Sequence, residues 1–182
     1  MRRLATLSAV LLAACASASQ GPSAVRPDQT VRVMSGTASP TATMAMVPTD
    51  DPSQRVMYAP AARVWNALPA VFDSLGLPIT DRNVEGRSLG TSSLKLRHRL
   101  GSVALSRYMD CGSTQGSSSA DSYDVLLTFT AQLVPSGDST GVTTRMTALA
   151  RPTFVSGEYV NCGSTRILEK RFFDLLATEV RR

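Results

Sequence analysis

A chain of 182 residues with 43% hydrophobic and 18% charged side chains has the composition of a globular protein, not a disordered one. Its formal charge of +5 and aromatic share of 5% are too small for the dense basic stripe with stacking aromatics that nucleic-acid binding requires. His98 is the only histidine, which excludes a multi-histidine metal centre.

The N-terminus runs Met1-Arg2-Arg3 and then an apolar stretch from Leu4 to Ala14, interrupted only by Thr6 and Ser8. This is the charged-then-hydrophobic order of a secretory signal, and it is shorter than the roughly 20 apolar residues a membrane span needs. Leu12-Ala13-Ala14-Cys15 resembles the lipobox of bacterial lipoproteins. That resemblance implies cleavage before Cys15, diacylation of its sulfur and attachment to a membrane through the N-terminal lipid. Ala16 stands where an aspartate often retains such lipoproteins at the inner membrane, so the resemblance favours the outer membrane. Ordinary secretion, with cleavage after Ala16-Ser17-Ala18, is the alternative. Removing residues 1–14 takes Arg2 and Arg3 away and leaves 17 basic against 14 acidic side chains, a charge of +3.

Residues 15–29 are rich in Ser, Ala, Gln, Gly and Pro and read as the lipidated cysteine followed by a flexible tether. Residues 30–182 are expected to form a single α+β domain. A short strand is expected at Thr30–Met34, mixed signals follow from Ser35 to Ser53, and a second strand starts near Arg55. Val64, Leu68, Val71, Phe72 and Leu75 recur at helical spacing, with Pro60 suited to the first helical position and Gly76 to the close. Pro69 falls inside this pattern, which predicts a kink or two short helical pieces.

Leu77–Asp81 and Ser88–Leu96 read as a hairpin around Asn83-Val84-Glu85-Gly86, and Val103–Tyr108 as a strand. A Gly/Ser-rich loop spans Gly112 to Ser119. In Tyr123–Val134, Val125, Leu127, Phe129, Ala131 and Leu133 share one face, while Asp124, Thr128, Thr130 and Gln132 share the other. Val142, Met146, Ala148 and Ala150 repeat the alternation, predicting a long antiparallel hairpin with a polar tip between Pro135 and Gly141. A closing helix from about Thr165 is expected to bury Ile167, Leu168, Phe172, Leu175 and Leu176.

This order predicts a two-layer α+β fold, an antiparallel sheet with both helices packed on one face. Together with Trp65, Leu68, Leu75-Gly76 and Ile79, it resembles the helix-grip domains in small lipoproteins of the outer-membrane β-barrel assembly machinery. The resemblance rests on a short stretch and implies a helix-grip-like domain that meets other envelope components.

No residue set points to catalysis, and no cofactor or metal is expected. Leu94, Leu96, His98 and Leu100 alternate with Lys95, Arg97 and Arg99, so His98 reads as a structural or rim residue on the apolar register of a strand or at its fraying end. Lys95, Arg97 and Arg99, with Arg82 and Arg87 nearby, form a basic edge suited to lipid phosphate or another anionic envelope polymer; a solvated strand face is the plainer reading. Gly112–Gly116 lacks the lysine of a phosphate-binding loop, and the scattered aspartates make no acid–base pair. Trp65 is expected in the core, or lining a small cavity between helix and sheet.

A short repeat carries more information. Tyr108-Met109-Asp110-Cys111-Gly112-Ser113-Thr114 and Tyr159-Val160-Asn161-Cys162-Gly163-Ser164-Thr165 agree at five of seven positions. With Cys15 lipidated in an oxidising compartment, Cys111 and Cys162 are the only thiols left to pair, which predicts two adjacent turns joined by a disulfide. The expected function is a non-enzymatic envelope lipoprotein presenting an interaction domain to an envelope protein, cell-wall polymer or lipid. The alternative is a module that holds a small apolar ligand near Trp65, and an enzyme would require His98 in a cleft beside a hydroxyl or carboxylate.

Overall fold

The computed structural model describes residues 51–114, 116–153 and 158–182, together with the backbone of two short paired strands, β1 (Gln29–Val31) and β2 (Met44–Met46). Cys15, residues 16–28 of the tether and residues 32–34 of the expected first strand lie outside the described residues, and β1 takes in Gln29, the last residue expected in the tether.

The remaining elements follow as β3 (Ser53–Met57), α1 (Ala61–Leu75), β4 (Asp81–Asn83), β5 (Ser88–Arg97), β6 (Arg99–Leu100), β7 (Val103–Ala104), β8 (Met109–Asp110), β9 (Ser113–Thr114), β10 (Ser117–Ser118), β11 (Asp124–Ser136), β12 (Ser139–Arg151), β13 (Val160–Ser164) and α2 (Ile167–Glu179). β11 and β12 form the centre of a large antiparallel sheet. β5 lies along the far side of β11 and carries β4 and β6 on its own outer edge. β3 and β13 share the far side of β12, with β13 leading on to β8.

Period-two alternation places Val125, Leu127, Phe129, Ala131 and Leu133 of β11 in the core, facing Val142, Met146, Ala148 and Ala150 of β12. Both helices cover this face. Phe72 of α1 and Phe172 of α2 each meet Phe129 edge-on or tilted, at centroid separations of 5.9 and 5.3 Å. The two helix rings also meet each other at 5.9 Å. The aromatic cluster therefore ties both helices to the sheet, and full burial of one such side chain is worth about 1.5–3 kcal/mol. This is the expected two-layer α+β domain.

Local chemistry sets the helix ends. Gly76 sits at φ +71°, and the amides of Gly76 and Leu77 return to the carbonyls of Asp73 and Phe72 at 2.9 Å, closing α1. Pro60 occupies the N-cap, one position before that expected. The division expected at Pro69 does not occur, and α1 runs through it as one helix. Pro69 is exposed, so its ring sits on the solvent side of the helix, away from the core. Buried Leu68, Val71 and Phe72 hold the helix on both sides of the proline.

Four further expectations change. Only Val103–Ala104 of the Val103–Tyr108 segment is strand; Leu105–Arg107 turns into a 3₁₀ helix whose first amide bonds the His98 carbonyl at 3.0 Å. The polar tip shrinks to Gly137-Asp138, because cross-strand pairing continues to Ser136↔Ser139. α2 begins at Ile167, since the Thr165 amide is bonded to the Tyr108 carbonyl and Arg166 adopts φ +65°. This start leaves Ile167 40% exposed and Leu175 half-buried, and buries Phe173 and Glu169 instead. The Ser164 hydroxyl donates to Glu169 Oε1 at 2.7 Å and draws the first turn of α2 toward β13.

Candidate interaction surface

The face of the sheet opposite the helices is assembled by cross-strand register. Its first row reads Arg99, Arg97, Asp124, Arg151, across β6, β5, β11 and β12. The next reads Lys95, Leu126, Leu149, Asn161, reaching β13. Thr128 and Thr147 follow, then Asp81, Gly90, Thr130 and Arg145, and the far end carries Val134, Gly141 and Val56. Gly90 is needed where it stands: a Cβ there would come within 3.1 Å of the Phe129 carbonyl and 3.0 Å of the Thr130 methyl.

The three cations singled out from sequence are all here and all exposed. Asp124, which was read only as a polar-face residue, lies between two of them. Its carboxylate meets Arg97 at 3.0 Å and Lys95 at 3.5 Å. Desolvation pushes the Asp124 carboxyl up, but the Arg97 hydrogen bond and the two positive charges outweigh it and hold the group below its ordinary value. Arg99 has no ion-pair partner among the described residues. Arg82 turns to the helix side, with its guanidinium 5.6 Å from the centre of the half-buried Trp65 ring. Arg87 lies in the β4–β5 turn at φ +47°.

Sequence reading missed Arg145 and Arg151. They lie far along the chain from Lys95, and only the pairing of β12 with β11 and of β11 with β5 places them on the same face. Arg151 stacks on Tyr159 at 5.0 Å, while Arg145 is exposed and has no ion-pair partner among the described residues. Their positions in the β12 alternation, out of phase with Met146, Ala148 and Ala150, were the available signal.

His98 is not on the apolar register. It forms the turn between β5 and β6 at φ +67° and is exposed in a groove lined also by Arg97, Arg99, Ala104 and Asp121. Its Nδ1 is hydrogen-bonded to the main-chain carbonyl of Asp121, whose carboxylate accepts instead from the Ser106 amide at 2.9 Å. The aspartate–histidine pairing of a hydrolytic triad is therefore not formed. Among the described residues no group of His, Cys, Asp and Glu is placed to hold a metal ion, and no helix is long and apolar enough to cross a membrane.

The repeated heptapeptide becomes one structural unit. β8 and β13 pair antiparallel through Met109↔Ser164 and Asp110↔Gly163, and the Thr165 amide bonds the Tyr108 carbonyl at 3.0 Å. One more step in this register sets Cys111 opposite Cys162. Cysteine is the central residue of each copy, so antiparallel alignment of the copies makes the two cysteines partners. Their sulfurs stand at disulfide distance, with Cα atoms 4.3 Å apart, and both side chains are buried. In the first copy the third repeat position has a role: Asp110 Oδ1 accepts from the Gly112 amide at 2.8 Å and shapes the turn after the strand.

No protein-family model matches the chain, and no curated protein matches it. Among solved structures it is similar to a conserved protein from Geobacillus kaustophilus, at 10% identity and a TM-score of 0.38, over 71% of this chain and 93% of that one.

Proposed function

We propose that this protein is a non-enzymatic cell-envelope lipoprotein. Residues 1–14 direct export, Cys15 carries the lipid, and residues 15–29 tether an α+β domain that meets another envelope component at the membrane. Ala16 favours the outer membrane as the destination. The observation that carries the reading is the helix-free face of the sheet, which combines exposed cations with the exposed apolar side chains Val56, Val134 and Leu149. A domain that filled both sheet faces would leave no such surface. The opposite face is occupied by Phe72, Phe129 and Phe172, so the surface for a partner is the open one.

Metabolic labelling with palmitate in a bacterium with lipoprotein processing tests the anchor. The native chain is expected to take up label and fractionate with membranes, and Cys15→Ala to lose both. Label retained by Cys15→Ala would overturn the assignment.

A further inference from the structure

We propose that the helix-free face of the sheet docks on an anionic lipid surface, with Lys95, Arg97, Arg99, Arg145 and Arg151 facing the headgroups. The proposal rests on the reading above that the domain works beside a membrane, and it names the partner of that face.

Charge complementarity carries the argument. The register places five cations on this face against two carboxylates, Asp81 and Asp124. One carboxylate, Asp124, is shared by Lys95 and Arg97, so neither cation is fully neutralised. The helix side has its own ion pairs. There Asp174 meets both Arg55 and Lys170, at 3.2 and 2.8 Å, and Glu179 meets Arg182 at 2.7 Å. Cations also stand on the helix side, Arg63 and Arg181 among them, whereas the open face presents its five without a covering helix.

The face is long enough to meet several headgroups. β11 and β12 each run 13 residues, which at about 3.3 Å per residue gives a ribbon on the order of 40 Å long. The cations sit at one end and in the middle of this ribbon, while Leu149, Val134 and Val56 provide apolar contact between and beyond them. Arginine side chains also reach phosphate with paired N–H donors, so headgroup phosphates suit this set better than a diffuse negative field does.

The test uses the full chain carrying Cys15→Ser, so that no acyl chain contributes, and vesicles of pure phosphatidylcholine or of phosphatidylcholine with 30% phosphatidylglycerol. Each Lys or Arg held close to an anionic leaflet is worth about fivefold in affinity. Binding is expected to be at least tenfold tighter on the phosphatidylglycerol vesicles and to weaken strongly in 1 M salt. Arg145→Glu with Arg151→Glu is expected to lose at least about 25-fold, with unchanged circular dichroism and urea midpoint. Lys170→Glu with Arg181→Glu, on the helix side, is the control and is expected to retain the preference. The N-terminal segment is common to all variants, so differences between them report on the face. Equal binding to both vesicle types overturns the proposal, as does a preference that survives Arg145→Glu with Arg151→Glu. Equal binding would leave an acidic protein or polymer as the partner of this face. Because the variant cannot be lipidated, the result is independent of palmitate labelling, and either reading can fail while the other stands.

Discussion

Replacing Cys111 and Cys162 together by alanine removes the covalent link across the β8–β13 pair, and the consequence can be worked from the position of the two residues. They are separated by 51 residues, and the chain-entropy relation for a loop of that size gives about 4 kcal/mol of stabilisation, less where the unfolded chain is already compact. The folded chain already holds the two backbones together through the Met109↔Ser164 and Asp110↔Gly163 pairings and the Thr165 amide. The native state of the variant is therefore expected to keep its fold, with most of the loss arising from a freer unfolded chain. Urea unfolding of the oxidised protein and the double variant measures the difference. With a slope of about 2 kcal/mol per molar urea, the midpoint is expected to fall by about 2 M. Native protein is expected to resist alkylation and to yield one linked peptide containing both cysteines. A midpoint shift under about 0.5 M, or two freely alkylated thiols in protein isolated from an oxidising compartment, would refute the reasoning.

Three further predictions follow from the core, the hairpin and the carboxylates. Phe129→Ala, at a fully buried ring touching both helices, is expected to cost about 3–5 kcal/mol in urea unfolding; a loss under about 1 kcal/mol would mean that the three-ring contact does not join the layers. Replacing Gly137 by Asn, which tolerates its φ of +58°, together with Asp138→Gly is expected to change stability by under about 1 kcal/mol, since a Cβ at Gly137 meets nothing within 4 Å. Asp81, Asp124 and Asp174 are each held below the ordinary value of 3.8, Asp81 by hydrogen bonds from Ser92 and Thr80, Asp124 by Arg97 and Lys95 against desolvation, and Asp174 by Lys170 and Arg55. A depressed carboxyl stabilises the fold above its unfolded pKa, and that stability is lost as pH falls through the folded value. The urea midpoint is therefore expected to decline as pH drops below about 4, and the triple Asp→Asn variant to decline less steeply; an identical decline would remove these three groups as its source.

Much of the domain could be read locally. The periodic residues of α1 and the stop at Gly76 are encoded within one segment, and the strict alternation in β11 and β12 identifies the buried face without reference to any neighbour. The cysteine count and the repeated heptapeptide were enough to pair Cys111 with Cys162, although the pairing geometry turned out to be an antiparallel ladder rather than two turns. Other features depended on contacts between distant segments. Leu105–Arg107 leaves the strand conformation and bonds the His98 carbonyl, and the first turn of α2 turns Glu169 inward to the Ser164 hydroxyl while Ile167 is exposed and Phe173 buried. The candidate surface belongs to this second class. Lys95, Arg97 and Arg99 form a visible cluster in sequence, but Asp124, Arg145 and Arg151 join them only through the register of three strands. Hydrophobic periodicity reports which side of its own element a residue occupies, because that depends only on the backbone repeat. Which residues share a row depends on how strands align across long separations, and that alignment exists only in the folded sheet.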